Sequence, residues 1–232
     1  MLLLAFDTAT PAVTVAVHDG SRVLASSTTV DAHRQAELLT PAIAAVLTQA
    51  GTTKEAITAV VAGVGPGPYT GLRVGVVTAR VLASTLGVPG YGVCTLDAIA
   101  AAAGRDDDYL VATDARRREV YWARYSGRRR ESGPDVGKPA DVPAGDLPVA
   151  GTGAALYPDA FPNRISPEYP DAGVLAALVV EQLSAVETAG IVGGLAGAVG
   201  AASATELLPL EPLYLRRPDA REPGARKSVL RL

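Results

Sequence analysis

The segment Gly63-Val-Gly-Pro-Gly-Pro-Tyr-Thr-Gly-Leu-Arg73 narrows the choice of fold more than any other part of the chain. It follows a β-branched run, Ile57 to Val64, and leads into an apolar stretch, Leu72 to Leu86, that ends at Gly87. Strand, glycine-rich loop and helix in that order is the unit in which α/β folds hold anions at a helix N-terminus. The segment is not the dinucleotide fingerprint, because Thr70 stands three residues after Gly67 where that fingerprint has glycine. It is not a P-loop either, since the Gly-Lys-Ser/Thr end is missing. Its prolines stiffen the loop, and its glycines permit close backbone approach.

The flanking sequence continues the α/β pattern. Leu2 to Asp7 is an unbroken apolar run ending on an acid, as in a strand buried on both faces. Val13 to Asp19 and Arg22 to Thr29 follow, separated by a turn at Asp19-Gly20-Ser21, so three strands open the chain as a meander. Asp31 to Ala50 reads as a helix capped by Asp31, with Leu39, Ile43, Val46 and Leu47 on one stripe and Gly51 as its stop. Pro41 inside it implies a kink or a late start. Pro89 to Val93 reads as a strand and Thr95 to Ala103 as a helix; Arg105-Asp-Asp-Asp108 is a polar break between lobes. A second lobe restarts with strands at Tyr109 to Thr113 and Glu119 to Tyr125, around an arginine-rich turn with Tyr121 and Trp122 on opposite faces. Ser126 to Pro148 is rich in glycine and proline and reads as loop. A short strand is expected within Leu147 to Ala150, a helix over Ala172 to Val186 and a last strand at Leu213 to Leu215.

Charge and composition exclude several functions. The net charge of −3 argues against a general nucleic-acid coat or a polybasic membrane binder. It hides a basic segment over 116–130 and a basic tail over 216–231. These are solvated faces or contacts for an anionic partner such as tRNA. One cysteine, Cys94, cannot form an internal disulfide, so a reducing cytoplasm is the natural compartment. The apolar start is too short for a signal peptide. The uncharged stretch Thr188 to Thr205 is mostly Gly and Ala, so it reads as a linker or helix extension rather than a membrane span.

Two places can carry chemistry. Asp7-Thr-Ala-Thr10 is an acidic turn with two hydroxyls between two strands, able to wrap a phosphate; equally, such residues satisfy turn backbone groups. The helix after the glycine-rich loop is apolar nearly all round. It therefore needs cover on both sides, from the core and from a second subunit or the preceding helix. The two histidines, His18 and His33, match no metal motif, and no nucleophile elbow is present.

Taken together, Asp7-Thr-Ala-Thr10, Gly65 to Gly75, Gly92-Val-Cys-Thr-Leu-Asp97, Asp114-Ala-Arg, Glu119 to Tyr125 and Pro212-Leu-Tyr-Leu-Arg216 closely resemble the bacterial TsaB (YeaZ) family. The resemblance runs from Met1 to about Arg217. It leaves Gly190 to Ala202 as an insertion and the tail as untypical. It implies an α/β chain of the actin-like ATPase fold (sugar kinase, Hsp70, actin), with two related lobes, each a mixed sheet with flanking helices. The lobes are expected at residues 1–104 and 105–215, followed by a basic tail over 216–232.

The resemblance also implies a non-catalytic role in making N6-threonylcarbamoyladenosine at position 37 of ANN-decoding tRNAs. The expected partners are TsaD, which the chain binds and activates, the small ATPase TsaE, and tRNA through the complex. A homodimer is expected when the chain is alone. No metal ligand and no required cofactor are implied, because the His-x-x-x-His motif of TsaD-type chains has no counterpart at Gly92 to Asp97. Ala9 replaces the glycine of active kinases, so ATP or ADP is expected to bind only weakly, through Asp7, Thr8 and Thr10. The partner surface is expected at Leu38, Ala42, Ala45, Arg73, Val76 and Arg80. The alternative is an active ATPase or small-molecule kinase of the same fold, with Asp114 as its only obvious catalytic acid; a metallopeptidase would need more than two scattered histidines.

Overall fold

The protein is described from a computed structural model, over residues 1–192 and 206–216. Its first sheet has the order β3-β2-β1-β4-β5. The strands are β1 (Leu3–Asp7), β2 (Ala12–His18), β3 (Val23–Val30), β4 (Ala59–Gly63) and β5 (Gly90–Val93). β1, β2 and β3 form the antiparallel meander, and β4 and β5 join parallel to β1. The second sheet repeats the plan as β8-β7-β6-β9, with β6 (Asp108–Asp114), β7 (Val120–Ser126), β8 (Arg129–Gly137) and β9 (Val149–Ala150). There too a three-stranded meander is extended by a strand parallel to its first member.

Both central strands are apolar on both faces because both faces are covered. Leu4 and Phe6 of β1 pack beneath α1 (Gln35–Gln49) and α2 (Tyr69–Leu86). Leu3 and Ala5, pointing the other way, meet α5 (Ala172–Val192), which comes from the second half of the chain. The first N–H of α5, at Ala172, donates to Thr14 Oγ1 on β2 (3.1 Å). In the second sheet, Tyr109, Val111 and Tyr125 pack on α3 (Thr95–Ala103). Leu110 and Ala112 pack on Phe161 and on α4 (Thr152–Leu156) through Ala154.

Several elements differ from expectation. α1 begins at Gln35 rather than Asp31, and α2 begins three residues early, at Tyr69. Asp31 shapes the turn before α1 instead of capping it: its Oδ1 accepts the N–H groups of His33 and Arg34 (2.9 and 3.2 Å). Part of the segment read as loop is β8, an edge strand that holds Pro134. An edge tolerates proline, and the pairing register shifts opposite it, between Trp122 and Arg124. No strand forms at Leu213 to Leu215. Instead residues 206–216 strap the molecule. Leu208 pairs with the edge strand β5 at Gly92, and the Leu213 N–H donates to Val64 (2.8 Å).

Gly190 to Ala202, apart from its first three residues, and the tail beyond Arg216 lie outside the described residues. Among the described residues no helix is long and apolar enough to cross a membrane.

Candidate functional site

The acidic turn after β1 is built into the protein rather than held open. Asp7 Oδ1 accepts the Ala9 N–H (2.6 Å), and Oδ2 accepts the hydroxyl of Thr95 at the start of α3 (2.7 Å). Thr95 in turn accepts the Gly65 N–H (3.2 Å). The carboxyl is fully buried, which pushes its pKa up to about 6 despite these hydrogen bonds. A Cβ on Gly63 would stand 1.7 Å from Asp7 Oδ2, so glycine there makes the space the carboxylate fills. Thr8 donates to the Gly71 carbonyl in the first turn of α2 (2.7 Å), and Thr10 Oγ1 accepts the Ala12 N–H (3.2 Å). The glycine-rich motif allows this docking: a Cβ on Gly71 would come within 2.5 Å of the Thr8 carbonyl oxygen.

Beside this turn lies a cleft of about 300 Å³. Thr8 and Thr10 line it together with the starts of α1 and α2 and with Asp114 and Arg116 of the second sheet. Asp7 is not among the lining residues. The structure thus brings Thr8 and Thr10 to the cleft and sends Asp7 into the interior.

The expected partner residues divide the same way. Leu38, Ala42 and Ala45 lie along the outer side of α1, half-buried or exposed, and Arg73 and Arg80 are exposed on α2. Val76 instead faces inward at 1% exposure, packed with Ala9, Val64 and Leu72. The neighbouring Val77 (54%) and Val81 (58%) are the valines α2 shows to solvent. At i, i+4 spacing, Tyr69, Arg73, Val77 and Val81 form one ridge along the helix. The strap finishes its upper end. Tyr214 stacks on Tyr69 with centroids 5.4 Å apart and takes a hydrogen bond from Arg73 Nε (3.0 Å), whose guanidinium lies 4.1 Å from the Tyr69 ring centre. Sequence reasoning missed Val77, Val81 and Tyr69, because a helix apolar nearly all round does not reveal which face it turns inward, and it missed Tyr214, which only the fold brings to Tyr69 and Arg73.

A family model described as TsaD, tRNA N6-adenosine threonylcarbamoyltransferase, matches residues 23–223. The Escherichia coli tRNA threonylcarbamoyladenosine biosynthesis protein TsaB is 36% identical over 182 residues, which span 68% of this chain and 74% of that protein. The chain belongs to the TsaB family. An uncharacterized protein of Mycobacterium tuberculosis is more similar to this TsaB-family chain, at 46% identity over 94% of it and 93% of the relative. The solved structure of YeaZ from Pseudomonas aeruginosa superposes on it with a TM-score of 0.70 at 30% identity, covering 81% of this chain and 95% of that one. The two mixed sheets flanked by helices are those of the actin-like ATPase fold.

Other groups in this TsaB-family chain are absorbed by the fold. Cys94 is buried, and burial pushes its thiol up to about 12, far from the thiolate that reactivity requires. His18 Nδ1 accepts the Gly20 N–H (3.0 Å). Among the described residues no three His, Cys, Asp or Glu side chains gather as a metal set would.

Proposed function

We propose that this TsaB-family chain is the non-catalytic partner of a TsaD transferase. It would work in the cytoplasm in forming N6-threonylcarbamoyladenosine at position 37 of ANN-decoding tRNAs. The α1–α2 face binds TsaD and holds it in its active state, TsaE joins the pair, and tRNA is met through the complex. Alone, the chain pairs with a second copy through the same face.

The observation that carries this reading is the ridge of α2. Val77 and Val81 are more than half exposed on a helix whose opposite side is fully buried, and α1 beside it presents small apolar residues. Covering such valines contributes about 1.5–3 kcal/mol each when burial is complete. The names of the relatives support the pathway, and the committed position of Asp7 supports a scaffold over a kinase.

The test is reconstitution of the modification from purified TsaD, TsaE, the enzyme that supplies threonylcarbamoyl-adenylate, and unmodified tRNA, with and without this chain. The reading requires modification to fall to background on omission. Unchanged modification on omission, together with steady ATP turnover by the isolated chain, would favour the kinase alternative.

A further inference from the structure

The basic segment over 116–130 is strongly charged in sequence but largely neutralised in the fold. Arg116 pairs with Asp114 (3.4 Å), Arg124 with Asp108 (2.7 Å), Arg128 with Glu181 (2.7 Å) and Arg130 with Asp97 (3.4 Å), and Arg129 lies against Glu131. The tip of the turn between β6 and β7 is the exception. Arg118 is exposed there and makes no ion pair among the described residues; the neighbouring carboxylate, Glu119, pairs with Arg216 instead. Lys138, which follows β8, is exposed and also without a carboxylate among the described residues.

The backbone of the same turn is the second observation. Arg116, Arg117 and Arg118 all have positive φ, at 61°, 56° and 61°. That region disfavours residues with a Cβ and is where glycine or asparagine ordinarily stands. Arginine at three such positions in a row does nothing for the turn itself, so what these positions supply is the side chains. Strain of this kind gathers at binding sites and other functional places.

Arg117, Arg118 and Lys138 line one groove of about 470 Å³ together with Leu156 and Tyr157, where α4 ends. Leu156 is 52% exposed. Cations beside an aromatic and an aliphatic side chain suit a polyanion that also carries flat apolar faces. Phosphodiester charges go to the cations and an unpaired base to the ring. An extended acidic peptide fits less well, because such peptides bind by main-chain pairing. Pro139 and Pro158 in the groove have no N–H, and those of Tyr157 and Ala160 already donate to the carbonyls of Gly153 and Tyr157. Arg116 lines the cleft at the start of α2, so the turn leads from the helix proposed to bind TsaD to this groove.

We propose that this groove binds an unpaired stretch of RNA, with phosphates on Arg117, Arg118 and Lys138 and a base against Tyr157 and Leu156. The proposal rests on the reading of this chain as part of a tRNA-modifying complex, and it makes the chain itself a contact for the tRNA. The site is separate from the α2 ridge, since neither Val77 nor Val81 lines it.

The test is fluorescence anisotropy of a labelled, unmodified ANN-decoding tRNA, titrated with the full chain alone and with its equimolar mixture with TsaD, between about 50 and 200 mM salt. The double variant Arg118→Glu, Lys138→Glu is expected to weaken binding by about tenfold or more and to reduce the salt slope by about 2. Asp159→Lys replaces the groove's carboxylate with a cation and is expected to strengthen binding by about threefold. All three positions are exposed, and light scattering is expected to show both variants folded and still pairing 1:1 with TsaD. Equal tRNA binding by the parent and the folded double variant overturns the proposal, as does a parent chain that adds no tRNA binding alone or with TsaD. So does polyglutamate that displaces the labelled tRNA at lower concentration than unlabelled tRNA does, since that assigns the groove to an acidic protein. Failure of the parent chain to pair with TsaD would contradict the proposed function, and the titration of the chain alone would still decide this one.

Discussion

Val76 and Val77, adjacent in sequence, face different surroundings from the same helix: one is 1% exposed, the other 54%. One residue along a helix is a rotation of about 100°, enough to turn a side chain from the core to solvent. Glutamate at the two positions should therefore act differently. Val76→Glu buries an unpaired charge among Ala9, Val64 and Leu72 and should destabilise the chain by several kcal/mol, or prevent folding. Val77→Glu should stay within about 0.5 kcal/mol of the parent in urea unfolding, yet lose the complex with TsaD. A Val77→Glu chain that binds TsaD as the parent does would place the contact elsewhere.

Asp7 gives a pH signature. Its folded carboxyl holds a proton up to about pH 6, against 3.8 for the ordinary group. The folded state thus binds the proton more tightly, so this contribution is full below about pH 4 and lost as pH rises through 6. The gap corresponds to about 3 kcal/mol at neutral pH. Asp7→Asn lacks the titration, so the stability difference between variant and parent should shift in the variant's favour as pH rises from 4 to 7. Denaturant midpoints at four pH values would measure it; a difference independent of pH would contradict a buried ionisable Asp7.

These two cases show how far the sequence reached. The apolar runs, turns and glycine stops announced the order of strands and helices through residue 125; even β3, which has no buried residue, was marked by the turn at Asp19-Gly20-Ser21 before it and its β-branched residues. β8 carries no such mark: it is an edge strand that exposes much of its length and holds Pro134. The strap could not be read from Leu213-Tyr-Leu215, since its anchors are Gly92, Val64 and Tyr69, far away in sequence. The acidic turn was recognisable as residues, but the direction of Asp7 depends on Gly63 and Thr95, which only the fold brings near. The phase of α2 was hidden by its own uniform hydrophobicity.

Gly71 should tolerate no side chain. A Cβ there would stand 2.5 Å from the Thr8 carbonyl oxygen, and backbone cannot yield as a flexible side chain can. Gly71→Ala should cost about 1–3 kcal/mol through displacement of α2 from the acidic turn, despite the better helix propensity of alanine. Thermal unfolding would register this as a lowered midpoint; an unchanged or raised midpoint would mean the turn moves freely.

Tyr214 ties the strap to α2. Tyr214→Ala removes the stack on Tyr69 and the bond from Arg73, a loss of about 1–2 kcal/mol confined to the strap. Hydrogen exchange at Leu208 and Leu213, whose N–H groups pair with Gly92 and Val64, should quicken in the variant while β1 and β2 stay protected. Equal protection of the strap in both proteins would show that Tyr214 does not anchor it.

The central claim is that the α1–α2 face is a docking surface for TsaD. Light scattering after gel filtration of this chain, mixed in equal amounts with the TsaD protein of the same organism, tests it most directly. The account predicts one peak with the mass of a 1:1 pair, resolved into two by Val77→Glu. Two separate peaks from the unaltered chain and a folded TsaD would contradict it.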